Sequence, residues 1–172
     1  MANHVDNFIT VIGNAAATAE FESIFSSILP EENNSLYNLD FLPKNEEGRV
    51  EIDSIGAKWA YVEDACDDCA TVTSAWGAVL PFVELLGDHL IDFDPEVKLT
   101  IRFTDEGYNF VGAGVYEESF LGWDEETYDE LVSARCKEKS IDDPEEYDPW
   151  EDDEWYEWVD QRIDLILDDQ MG

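Results

Sequence analysis

The feature that most constrains this chain is an acidic run that is interrupted by aromatic side chains. From Asp142 to Asp160 the sequence has eleven carboxylates and no Lys or Arg. The aromatic residues that stand among them are Tyr147, Trp150, Trp155, Tyr156 and Trp158. Because an unpaired charge is costly to bury, the fold must hold the carboxylates at the surface while some of the rings anchor the segment. Disordered acidic tails are poor in aromatic residues, so the run is predicted to be folded.

The charge of the whole chain excludes two classes of partner. The 172 residues have 43 acidic and 9 basic side chains, a formal net charge of -34. A nucleic-acid-binding protein needs a basic surface that displaces counterions, and an anionic membrane would repel this chain. We therefore expect no direct nucleic-acid binding and no membrane association. The 44% of hydrophobic residues still suffice for a folded core at this length.

The acidic residues are distributed unevenly. Residues 1–120 carry 23 acidic and 5 basic side chains, whereas the shorter segment 121–172 carries 20 and 4. This change predicts an α+β domain over 1–120 and an acidic helical region over 121–172, packed on that domain or on a second copy. The amino terminus has no positive stretch and no apolar run could span a bilayer, which predicts a cytoplasmic protein with reduced thiols.

The apolar pattern predicts an antiparallel sheet with two helices on one face. Strands are expected at 5–12, 57–62, 70–76, 97–104 and 110–116, and helices at 15–29 and from Pro81 onward. The order β-α-β-β-α-β-β is a split βαβ pattern with one additional strand. In the acidic region, Asp124, Asp143 and Asp148 are expected to cap helices. An apolar stripe in the last helix is predicted to consist of Trp155, Trp158, Val159, Ile163 and Ile166.

Four stretches of the first part, Asn3–Gly13, Ile55–Tyr61, Thr73–Gly77 and Thr104–Gly112, carry a family resemblance. They resemble, in order and roughly in spacing over residues 3–116, the ferredoxin-like domain family typified by YubB. The resemblance implies a ferredoxin-like sheet and a mobile-element origin, and it implies no particular activity. The composition is separately similar to that of phage DNA-mimic proteins.

No catalytic constellation stands out. Cys66 and Cys69 form a C-x-x-C pair, but the carboxylates around them disfavour the thiolates that a zinc or redox site needs, so we expect a turn with two free thiols. The isolated His4 and His89 are expected at turns or at the surface. The tryptophans Trp59 and Trp76 are expected in the core, with a pocket lining as the alternative. The sequence predicts no enzyme, no metal and no cofactor.

The acidic run itself supports the leading functional hypothesis. Laid on helices, it would carry one negative charge per ~2.6 Å, compared with one per ~1.7 Å of duplex DNA. We therefore expect a DNA-mimic inhibitor, encoded by a phage or mobile element, that occupies the basic groove of a host restriction enzyme, CRISPR effector, nuclease or nucleoid protein. The expected partner-binding residues are Asp142, Asp143, Glu145, Glu146, Asp148, Glu151, Asp152, Asp153, Glu154, Glu157 and Asp160.

Three alternatives or additions stay open at this point. The acidity could be an adaptation to a high-salt cytoplasm, with function in an unidentified ligand pocket of the sheet domain. The segment Asp142–Glu154 could bind a divalent cation, although the Gly and the alternating ligands of a calcium loop are absent. A two-fold homodimer joined by aromatic helix faces would lengthen the negative surface.

Overall fold

The computed structural model describes residues 3–29 and 34–172, so residues 1–2 and 30–33 of the predicted first domain lie outside the described residues. The strands are β1 His4–Ile12, β2 Ala60–Ala65, β3 Cys69–Ala75, β4 Lys98–Asp105, β5 Phe110–Glu117 and β6 Phe120–Thr127. The helices are α1 Ala15–Ser26, α2 Ile52–Ile55, α3 Leu80–Leu90, α4 Tyr128–Lys139 and α5 Trp155–Met171. All strands form one antiparallel sheet in the order β2-β3-β1-β4-β5-β6. The predicted α+β class is confirmed.

The first face of the sheet carries the main core. Alternation along β1 buries Val5, Ile9 and Val11, which pack in one cluster with residues of α1 and α3. The largest fully buried rings of this cluster are Phe21 and Phe25 on α1, Phe82 on α3, Phe103 on β4 and Tyr116 on β5. The local periodicity of the first half therefore builds a sheet with α1 and α3 on the same side.

The second face carries a smaller core over β4, β5 and β6. Val111 and Ala113 of β5 point there, since β5 alternates and its even-numbered neighbours face the main core. The predicted apolar stripe of α5 is buried against them: Trp155, Trp158, Val159, Ile163 and Ile166. The apolar face of α5 is thus occupied by the chain's own sheet, together with Leu131 and Val132 of α4.

The start of the acidic region differs from the prediction. Asp124 does not cap a helix, because the segment continues the sheet as β6 and Asp124 pairs with Ala113. Helix α4 begins four residues later, where Thr127 and Glu130 form a reciprocal capping box. The change in acid density near Gly122 therefore falls inside β6, and the helical part begins at Tyr128.

The expectation of reduced thiols is wrong for one pair. Cys66 and Cys69 form a disulfide in the turn between β2 and β3. The turn brings their Cα atoms to 5.0 Å, within the range that a disulfide spans, and the Cys66 N–H donates to the Cys69 carbonyl at 2.8 Å. The acidic neighbours disfavour thiolates, but the hairpin geometry brings the two sulfur atoms together all the same. Cys136 is free and buried.

Removing this disulfide is expected to have a modest effect. Replacing Cys66 and Cys69 by Ser should lower the free energy of unfolding by about 2 kcal/mol, because the bond closes only a very short loop of the unfolded chain. Urea unfolding would measure the loss, and the wild type treated with a phosphine reductant should match the variant. A loss beyond about 4 kcal/mol would contradict this entropic account.

Candidate partner-binding surface

The acidic run connects α4 to α5 through two short turns. These are the 3₁₀ turns Pro144–Glu146 and Pro149–Glu151, and α5 begins only at Trp155. The carboxylates of Asp143 and Asp148 cap them by accepting the N–H groups two residues later, at 3.0 and 2.9 Å. The predicted caps are confirmed, but each Asp-Pro starts a single turn and not a helix. The uniform helical spacing assumed for the run is therefore wrong before Trp155.

An internal ion-pair network ties the run to α4. The Arg135 side chain is only 6% exposed, and its Nε and Nη2 donate to Asp152 and Glu154, both at 3.0 Å. Asp152 is 4% exposed at its side chain and also accepts from Lys139 at 3.0 Å and from the Tyr147 hydroxyl at 2.6 Å. The chain between α4 and α5 is consequently held in place by charge-assisted hydrogen bonds.

The network shifts the pKa values of Asp152 and Tyr147. Burial would by itself raise the pKa of Asp152, but the hydrogen bonds from Arg135, Tyr147 and Lys139 lower this pKa well below its ordinary value. Burial and the bond to Asp152 raise the pKa of Tyr147. At neutral pH Asp152 is therefore a fixed anion with a fixed set of donors.

Two further ion-pair contacts attach helix α5 to the sheet. Arg162 forms a bidentate ion pair with Glu126, which joins α5 to β6. Arg102 of β4 reaches Asp164 at 3.2 Å and Asp160 at 4.0 Å. Both attachments lie beside the apolar stripe, so the orientation of the polar side of α5 is set by packing and by charge.

The structure exposes ten of the eleven predicted binding residues and encloses one. The exposed ones are Asp142, Asp143, Glu145, Glu146, Asp148, Glu151, Asp153, Glu154, Glu157 and Asp160. Asp152 belongs to the internal network and is not part of the surface. Sequence reasoning could not separate it from its neighbours, because its partners Arg135 and Lys139 stand on another helix.

Most of the exposed carboxylates have no cation of the chain beside them. Among the described residues, no Lys or Arg lies within 4.0 Å of eight of them: Asp142, Asp143, Glu145, Glu146, Asp148, Glu151, Asp153 and Glu157. Three of the four bases of residues 121–172, Arg135, Lys139 and Arg162, are used in the internal ion pairs. We call these eight carboxylates the uncompensated surface.

The acidic surface extends beyond the predicted residues along α5. Asp164, Asp168 and Asp169 are exposed and follow Asp160 on the polar side of the helix. The spacing of four residues from Asp160 to Asp164 to Asp168 could have revealed this continuation, since such residues share one helix face. Sequence reasoning ended the run at Asp160 because Arg162 interrupts it.

The aromatic residues of the run divide into anchors and exposed rings. Trp155 and Trp158 are buried anchors, whereas Trp150 is 56% and Tyr156 57% exposed. Both exposed rings contact Tyr108, with ring centroids 6.0 and 5.8 Å apart. We call Tyr108, Trp150 and Tyr156 the aromatic patch. Tyr108 lies in the turn between β4 and β5, and no signal near the acidic run could have pointed to it.

The other candidate groups of the described residues are engaged in contacts within the fold. The described residues contain one metal-like cluster, Cys66, Asp68 and Cys69, but its two sulfur atoms are joined in the disulfide. His89 is paired with Glu20 at 2.7 Å, and the ring of His4 packs edge-on against Trp59.

The expectation that Trp76 packs in the core is wrong. Trp76 is 60% exposed, because the chain leaves β3 there in a left-handed conformation with φ of 69°. Trp59 is half-buried beside Tyr61.

Comparisons with known proteins gave no match. A scan against protein-family models found no match, and searches of curated proteins and of solved structures found none either. None of the helices in residues 3–29 and 34–172 has the length and apolar character that crossing a membrane requires.

The uncompensated surface predicts a stability that rises with salt. Increasing NaCl from 0.1 to 1 M shortens the screening length from about 10 to about 3 Å and should weaken the repulsion among these carboxylates. We expect the midpoint of urea unfolding to move upward over this range. A midpoint that moves downward would show that the internal ion pairs outweigh the repulsion.

Proposed function

We propose that this protein is a DNA-mimic inhibitor that occupies the basic nucleic-acid-binding groove of another protein. The observation that carries the proposal is the uncompensated surface on a pinned scaffold. Its carboxylates face solvent without cations of their own, while Arg135, Arg102 and Arg162 hold the underlying elements. A folded anion array is what a groove built for phosphates would bind.

The spacing of the charges supports this proposal. On α5 the exposed Glu157, Asp160, Asp164 and Asp168 follow one another about every 5.5 Å, given a rise of ~1.5 Å per residue. Arg102 pairs with Asp164 and lies 4.0 Å from Asp160, so Glu157 and Asp168 are the members of this row without a cation beside them among the described residues. One strand of duplex DNA carries a phosphate per ~3.4 Å of axis. The turns before α5 add the other seven carboxylates of the uncompensated surface, which lie next to this row along the chain.

The same forces that hold DNA would drive the association. Arg and Lys of the partner would exchange their counterions for carboxylates, and Arg could bind a carboxylate through two parallel hydrogen bonds. This surface presents no bases, so binding would not depend on any nucleotide sequence. Inhibition then follows from occupancy alone, which requires no catalytic residue, metal or cofactor in this chain.

A finer description of the fold belongs to the same proposal. We propose that β1 to β4 with α1 and α3 form a ferredoxin-like unit and that α4 and α5 are an acidic layer added to it. The strand order β2-β3-β1-β4 and the shared face of α1 and α3 support this. Membership of the YubB-type family, a phage origin, action in the host cytoplasm and a homodimer stay predictions.

The proposal is tested by competition with DNA. The chain is immobilised, bacterial lysate freed of nucleic acid by nuclease is passed over it, and bound proteins are eluted with duplex DNA. Basic DNA-binding proteins should be retained and then released by the duplex, and each should lose labelled duplex when the free chain is added. Polyglutamate at equal charge concentration is the control, and it should compete far less well. Retention that duplex DNA cannot reverse would contradict the proposal.

A further inference from the structure

The aromatic patch contains two rings that are largely exposed and that the core does not need for its packing. Trp155 and Trp158 already fill the core beneath α5, whereas Trp150 and Tyr156 keep more than half of their surface in solvent. The two rings converge on Tyr108, which is itself half-buried against Trp155. Exposed rings gathered at one point of a surface commonly mark a binding site.

The backbone of Tyr108 adopts an unfavourable conformation. Its φ is 55°, in the left-handed region, which a bulky side chain disfavours and where Gly or Asn would be favoured. The turn is fixed by the Asp105 carboxylate, which accepts the N–H groups of Gly107 at 2.9 Å and Asn109 at 3.2 Å. The ring in this position contacts both Trp150 and Tyr156.

Carboxylates stand next to the rings of the patch along the chain. Asp148 and Glu151 flank Trp150 in its 3₁₀ turn, and Glu157 and Asp160 follow Tyr156 on α5. Burial, and then the nearby Tyr156 and Asp160, raise the pKa of Tyr108, so Asp160 acts on the patch directly. The patch thus offers ring faces and anions together.

The chain uses this combination for its own arginines. The guanidinium carbon of Arg135 lies 5.3 Å from the ring centroid of Trp158, and that of Arg162 lies 5.9 Å from the same ring. Each of these arginines is also bound to carboxylates, Arg135 to Asp152 and Arg162 to Glu126. Within the protein, two guanidinium groups are therefore each held by an aromatic ring and a carboxylate. The aromatic patch offers the same two kinds of group, rings and carboxylates, at the surface.

We infer that the aromatic patch is an arginine-binding site, which receives an exposed arginine of the basic partner between its rings and the flanking carboxylates. The inference rests on the proposed function and names the side chain that the surface selects. A guanidinium is planar, stacks on aromatic faces and is more weakly hydrated than an ammonium, so arginine should be preferred to lysine. The uncompensated surface then supplies affinity for any cation, and the aromatic patch supplies the preference for arginine over lysine.

The test compares two peptides of equal charge. Hexa-arginine and hexa-lysine, both with blocked ends, are titrated calorimetrically into the full chain in 0.1 M NaCl. The variant Trp150→Ala with Tyr156→Ala should lower the preference for arginine about two- to tenfold. The control variant is Phe120→Ala with Trp123→Ala, which removes two exposed rings of β6 without changing any charge. It should leave the preference unchanged.

The outcomes separate the inference from the proposed function. If both peptides bind and the two variants leave the preference equally unaffected, the arginine site is wrong while the charge-based function stands. If both variants lower the preference equally, the patch has no special role and the inference also fails. If the wild type binds neither peptide, the proposed function fails as well. Circular dichroism of both variants confirms that the fold is kept.

Discussion

Neutralising four carboxylates of the uncompensated surface is expected to weaken the competition with DNA by roughly a hundredfold. The variant is Glu145→Gln, Glu151→Gln, Asp153→Asn and Glu157→Gln. These side chains are exposed and cap no turn, so the fold should persist. At about 0.7 kcal/mol for each exposed ion pair, four together amount to about 2.7 kcal/mol, which is the expected hundredfold loss. The concentration of protein that releases half of a labelled duplex from its captured partner measures the effect.

A matched control separates the position of the charges from their number. Glu22→Gln, Glu46→Gln, Asp53→Asn and Asp92→Asn remove the same total charge from exposed positions before β4. This variant should keep competition within about threefold of wild type, and its dependence on salt should be unchanged, because long-range attraction is largely screened at 0.1 M salt. Equal losses in both variants would mean that net charge, and not the uncompensated surface, drives binding.

The second large effect concerns the buried ion pair beneath this surface. Replacing Arg135 by Met should lower the free energy of unfolding by about 3 kcal/mol, at the lower end of the usual range for breaking a buried pair. Asp152 would be left nearly enclosed with Lys139 as its remaining cation, which softens the loss. Urea unfolding at pH 7 measures it. Lys137→Met is the control, since Lys137 is exposed and has no ion pair among the described residues; it should cost less than about 0.5 kcal/mol.

A double variant tests the physical reason. Adding Asp152→Asn to Arg135→Met removes the nearly enclosed charge that Lys139 alone would then compensate, and it should restore part of the lost stability. If the double variant is less stable than Arg135→Met by a further 2 kcal/mol or more, the Asp152 carboxylate still stabilises the fold through Lys139 and Tyr147, and its charge is not the cause of the first loss.

The pH dependence follows from the direction of the Asp152 shift. Its pKa is lowered in the folded chain, so the stabilisation is fully present above the unfolded value of about 3.9 and is lost as the pH falls through the folded value. In the Asp152→Asn variant this part of the acid-induced loss should be missing. Stability curves that run parallel for wild type and variant below pH 4 would contradict the assignment.

Local patterns predicted much of the architecture. The strands β1 to β5 and the stripe of Trp155, Trp158 and Ile163 follow from alternation and from helical spacing, which depend only on near neighbours. The strand β6 was missed because Asp124 and Glu125 made it resemble the start of a helix. Its place is decided by pairing with β5, and pairing partners lie outside a local window.

The candidate surface was predicted as a region and not in its detail. Exposure of ten acidic residues follows from the cost of burying charge, which applies to any fold. The inward position of Asp152 depends on Arg135, and the aromatic patch depends on Tyr108, about 40 residues away in sequence. Both are consequences of the tertiary fold, as is the disulfide of Cys66 and Cys69 in its hairpin.

The enclosed pair of Arg135 and Asp152 has a consequence for how such a chain can evolve. Outer carboxylates can exchange Asp for Glu, or move by a residue, with little penalty, so mutation would quickly erase their pattern between lineages. The guanidinium and its enclosed partner can only change together. Descendants of this molecule should therefore diverge freely on the outside while this pair persists or is replaced as a unit.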